Sequence, residues 1–107
     1  MAGGAAGLSG AMKQPEAFRL FVGGYHEEIF FYEGPTWEEN VQLLLQPLTP
    51  AQKGELLVYL DHLTATLTAS EIRGVLRRAN RGMRFGTSMA LDFIETAAAQ
   101  IRTALRP

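Results

Sequence analysis

The chain has 107 residues, 47% hydrophobic and 20% charged, which bounds it to one globular domain with a real core and no second lobe. It contains no cysteine, which excludes a disulfide framework, a thiolate metal site and a cysteine nucleophile together. The formal net charge of -1 conceals a polarity: through Asp61 eight acids stand against three bases, whereas from His62 onward three acids stand against seven arginines. Such halves are expected either to attract each other within the fold or to orient different partners. No apolar run approaches the ~20 residues that span a bilayer, and the start MAGGAAGLSG lacks the n-region and apolar core of a signal peptide. A cytoplasmic location with no membrane partner is the expectation.

Residues 1–13 carry almost no bulky side chains, so they are expected to form a flexible Gly/Ala arm before a helical domain over 14–107. Met12 before Lys13 is a candidate natural start. Pro15 suits a first helical turn. Phe18, Phe21, Val22, Tyr25 and Ile29 then recur at i, i+3, i+4, i+7 and i+11, one face of an amphipathic helix. Gly23 and Gly24 fall inside that pattern, each at a cost of about 1 kcal/mol relative to alanine. They imply either a loosened helix or close contact with a neighbour. Phe30, Phe31 and Tyr32 are too short a run to assign, and Gly34 with Pro35 ends it.

Three capping boxes follow: Thr36 with Glu39, Thr49 with Gln52, and Thr68 with Glu71. The first opens a helix with Trp37, Val41, Leu44 and Leu48 on one face, widened by Leu43 and Leu45 and stopped by Pro47. The second opens a helix carrying Leu56, Leu60, Leu63 and Leu67, flanked by Leu57 and Tyr59, apolar around much of its circumference and therefore expected to be central. The third opens a helix with Ile72, Val75, Leu76 and Ala79 inside, joined by Met83, and Arg73, Arg77, Arg78 and Arg81 on other faces. Asn80 or Gly82 is its expected C-terminal cap. Arg84, Phe85 and Gly86 read as a loop. Thr87 or Ser88 caps a last helix with Ile94, Ala98, Ile101 and Leu105 in one apolar row and Met89, Phe93 and Ala97 in the next. The expected fold is an all-α, compact single-domain bundle of about five helices.

No catalytic motif is present, and neither an enzyme nor a cofactor is expected. His26 and His62 lack the closely spaced further ligands of a zinc site. The doublets Glu27-Glu28 and Glu38-Glu39 do not make an acid and base pair by themselves, because adjacent helical residues point about 100° apart. Ser9, Ser70 and Ser88 sit in an arm or at helix starts, and the N-terminal glycines lack the Lys-Ser/Thr ending of a phosphate loop. The arginines from Arg73 to Arg84 are the one feature suited to phosphate, giving a small nucleic-acid-binding regulator as the alternative function. The overall negative charge counts against nucleic acid as a partner. A solvated helix face paired with the acidic half of the same molecule is the simpler reading.

The most distinctive stretch runs from Tyr25 to Glu39 and holds five aromatic residues and five carboxylates with no lysine or arginine. Tyr25 and Trp37 belong to inner helix faces by their spacing. Carboxylates beside exposed aromatics suit docking of a basic protein, the acids steering it and the rings anchoring it. An acidic surface can also occupy the positive cleft of a nuclease where phosphates would lie. The other reading is that the rings enter the core and the glutamates are its wet rim.

The order Phe18, Phe21, Gly24-Tyr25, an acidic and aromatic patch, Thr36-Trp37-Glu38-Glu39, then Leu56, Leu57, Leu60 and a Leu-Thr segment before Glu71, Val75 and Leu76, resembles the small helical immunity proteins of bacterial contact-dependent growth inhibition systems. The resemblance covers residues 16 to 80. It implies a cytoplasmic antitoxin that binds one cognate toxin domain, often a nuclease, and blocks it without chemistry of its own or any small-molecule substrate. The toxin-binding candidates it implies are Glu27, Glu28, Glu38 and Glu39. Tyr32 and Glu33 join them from their expected exposure.

Overall fold

The computed structural model describes residues 13–26 and 36–106, and within them five helices follow one another: α1 Glu16–Gly23, α2 Trp37–Leu45, α3 Pro50–Thr66, α4 Ala69–Ala79 and α5 Thr87–Leu105. No strand occurs among the described residues, and the fold is an all-α bundle. Residues 1–12 of the expected N-terminal arm, and Ile29 of the first apolar row, lie outside the described residues.

All three capping boxes form. Each threonine hydroxyl accepts from the backbone N–H three residues on, and Glu39, Gln52 and Glu71 each accept in return from the threonine's own N–H. Reciprocal capping satisfies two of the donors a helix start leaves open, so α2, α3 and α4 begin where the local sequence places them. Helix α1 is shorter than its apolar row. It ends at Gly23, and the chain tightens through Gly24 N–H to the Phe21 carbonyl (3.4 Å) and Tyr25 N–H to the Val22 carbonyl (3.2 Å). Of these two glycines, only Gly24 has a packing reason to lack a side chain. A Cβ there would stand 3.1 Å from the Leu44 Cδ2 of α2, whereas one at Gly23 would meet nothing within 4 Å.

Helix α5 is the hub: it packs against α2, α3 and α4, and its Phe93 ring stacks on Phe21 of α1 at 5.0 Å. Ala90, Phe93, Ile94, Ala97, Ala98 and Ile101 are buried along it, the alanines admitting close neighbours. The expectation that α3 is the central helix is therefore corrected. α3 does bury Leu56, Tyr59, Leu60 and Leu63, but Val58 on its outer side is 58% exposed. Three further expectations change. Leu43 is exposed because it lies about 200° around α2 from buried Val41. Leu105 is exposed as the final residue of α5, and Ala79 is exposed as the final residue of α4.

The segment between α4 and α5 is more deeply embedded than a surface loop. Met83 and Phe85 are both buried, and Phe85 packs its ring against Tyr25 (5.2 Å), Phe93 (5.3 Å) and Trp37 (5.9 Å). The Phe85 carbonyl accepts from Arg73 Nε at 3.0 Å. With that backbone fixed, Gly86 becomes the N-cap of α5 without a side-chain bond, and Thr87 and Ser88, the expected caps, sit inside its first turn. Asn80 is the C-cap of α4. Its Nδ2 donates to the Val22 carbonyl of α1 (2.9 Å) while its Oδ1 accepts from Gly82 N–H (2.9 Å), tying the end of one helix to the end of another.

Candidate binding surface

Of the six residues singled out as toxin-binding candidates, Glu27, Glu28, Tyr32 and Glu33 lie outside the described residues. Glu38 and Glu39 are described, and they occupy the first turn of α2, both exposed. Carboxylates there face the positive end of the helix dipole, a favourable charge-dipole placement for the first turn.

The turn is held in place from three sides. Thr36 and Glu39 close the capping box, with Glu39 Oε1 accepting from both Thr36 N–H and Thr36 Oγ1 at 3.1 Å. Trp37 Nε1 donates to Thr96 Oγ1 of α5 at 3.2 Å, and its half-buried ring lies beside Phe85 and Phe93. Gln100 Nε2, also from α5, donates to the Glu38 carbonyl at 2.8 Å. The backbone of Glu38 is thus clamped to the hub helix while its side chain points away. Among the described residues the Glu38 carboxylate has no ion-pair or hydrogen-bond partner, whereas that of Glu39 is committed to the cap.

Of the five aromatic residues of the stretch, Tyr25 and Trp37 are among the described residues, and both lie where their spacing predicts. Tyr25 is buried against Phe85, and Trp37 is half-buried in the same cluster of rings. Both rings serve the core. His26 is exposed at the end of the described segment, and His62 is half-buried on α3. No group of three or more metal-ligating side chains is gathered among the described residues.

The arginines resolve into different roles. Arg73 is half-buried and bonds the Phe85 carbonyl, a contact that the i+4 spacing alone does not reveal. Arg77, Arg78, Arg81 and Arg84 are exposed. The expected pairing of the basic half with the acidic half reduces, among the described residues, to one ion pair, Arg102 of α5 with Asp61 of α3 at 2.6 Å. Both partners are about half exposed, so its contribution to stability is at most about 1 kcal/mol. No helix among the described residues is long and apolar enough to cross a membrane.

No family model matches the chain, and neither a curated protein nor a solved structure matches it.

Proposed function

We propose that this chain is an immunity protein of the contact-dependent growth inhibition kind, which binds a cognate toxin domain, a basic nuclease in the leading case, and neutralises it without catalysis. The observation that carries the reading is the first turn of α2. It is fixed by a capping box and two bonds to α5, and it presents the Glu38 carboxylate outward with no described partner. A carboxylate with an immobilised backbone loses less freedom on docking than one on a loose chain, which favours recognition of a cationic surface. Glu27, Glu28 and Glu33, which precede it in the same acidic stretch of sequence, would extend that charge.

The test begins at the adjacent upstream gene, where the reading expects a large secreted protein with a toxic C-terminal domain, and pairs that domain with this chain. Co-expression should restore growth of cells carrying the toxin, and the two purified chains should form a complex. Reversal of Glu27, Glu28, Glu33 and Glu38 to lysine should abolish both while the thermal transition of the isolated chain persists. Protection that survives the fourfold reversal would overturn the acidic-edge mechanism.

A further inference from the structure

The basic end of α4 is a second charged surface that the acidic-edge reading leaves unused. Arg77, Arg78 and Arg81 line one open depression of about 510 Å³, and all three are exposed. Among the described residues none of them has an ion-pair partner. The nearest acid in sequence, Glu71, is occupied at the opposite end of the same helix by its capping box with Thr68.

The arrangement follows from the helix. Arg77 and Arg78 occupy the last turn of α4, where cations face the negative end of the dipole. Arg81 lies four residues beyond Arg77, just past the Asn80 cap, in the turn that Asn80 ties to α1. Gly74 has a part as well. A Cβ at that position would come within 3.3 Å of Arg78 Nη1, so the missing side chain leaves room for the Arg78 guanidinium to lie back along the helix. Three guanidinium groups around one depression repel one another. An oxyanion between them reverses that repulsion and accepts several charge-assisted hydrogen bonds.

From this the geometry points to a phosphate-binding cradle formed by Arg77, Arg78 and Arg81, suited to a compact polyphosphate such as the di- or triphosphate group of a nucleotide. A long nucleic acid fits the surface less well. Duplex DNA carries a charge about every 1.7 Å and is held by a track of cations, yet these arginines converge on one depression. Of the next arginines, Arg73 is half-buried and bonds the Phe85 carbonyl, and Arg84 is exposed but does not line the depression. Arg102 lies near the far end of the 19-residue α5 and is paired with Asp61. Asn80, the amide beside the cradle, already bonds Val22 and Gly82, so it is not placed to read a base. None of the exposed large hydrophobic side chains lines the depression, which distinguishes it from an anchor site for a protein.

The cradle and the acidic edge lie on different helices, and each stands or falls separately. Calorimetric titration with inorganic tripolyphosphate at low salt tests the cradle. Saturable one-to-one binding is expected, with a rise in melting temperature on adding the anion. The variant R77Q/R78Q/R81Q should lose roughly tenfold or more in affinity, whereas R19Q/R106Q, which removes exposed arginines elsewhere, should leave it unchanged. Equal affinity in the two variants, or no binding by the unmodified chain, would overturn the assignment. Tighter binding of a single-stranded oligothymidylate of about twenty nucleotides than of tripolyphosphate, lost in the same triple variant and steeply salt-dependent, would also overturn it in favour of a nucleic-acid backbone.

Discussion

The first turn of α2 and the last turn of α4 are both charged surfaces anchored to distant parts of the chain, but their anchors differ in kind. At the acidic turn a large ring joins the polar contacts: Trp37 lies among Phe85 and Phe93 and bonds Thr96, and Gln100 Nε2 donates to the Glu38 carbonyl. At the basic turn the anchors are polar, Asn80 to the Val22 carbonyl and Arg73 to the Phe85 carbonyl. A packed ring tolerates small displacements, because the hydrophobic part of its anchoring is non-directional. A side-chain amide bonding a backbone carbonyl fixes distance and angle. The acidic turn therefore has a packed ring behind its Gln100 and Thr96 bonds, whereas the position of the basic end depends more on individual hydrogen bonds.

The largest effect should come from Trp37→Ala, which removes a half-buried indole and its bond to α5. A loss of about 3 kcal/mol is expected in chemical denaturation, with Trp37→Phe recovering most of it. If Trp37→Phe were as damaging as Trp37→Ala, the single bond to Thr96 would be the true anchor and the contrast between the two ends would disappear.

Asn80→Ala comes next. It removes the donor to Val22 and the acceptor for Gly82 together, with an expected cost of about 1–2 kcal/mol. The change should also accelerate amide exchange at Gly82 and Met83 more than along α5. Uniform acceleration throughout the bundle would show that Asn80 supports global stability and not the local shape of the basic end.

What the sequence discloses of these two ends follows the range of the forces involved. The capping boxes are contained within four residues each, so Thr36, Thr49 and Thr68 were legible as helix starts. Tyr25 and Trp37 were legible as core residues by helical spacing, even though α1 stops before Tyr25. Phe85 was not, because a buried residue between helices follows no period. The Asn80 and Arg73 bonds span 58 and 12 residues, and no local pattern encodes them. At the acidic edge, the division between a carboxylate bound in a cap and one facing outward was legible from the Thr-x-x-Glu spacing. The clamp of Gln100 on the Glu38 carbonyl, 62 residues away, was not.

That division supplies the smallest and most discriminating effect. Glu39→Ala removes the acceptor that closes the box from Thr36 N–H, and about 0.5–1 kcal/mol of stability should go with it. Glu38→Ala removes a carboxylate with no described partner, and stability should change by no more than about 0.5 kcal/mol. Partner binding should reverse the order, since a charge committed to a cap is less available to a cation than one facing solvent. Under the proposed function Glu38→Ala weakens the toxin complex more than Glu39→Ala while costing less in the denaturation midpoint. If both substitutions weakened the complex in proportion to their effect on stability, they would be acting through the integrity of α2, and Glu38 would lose its claim to direct contact.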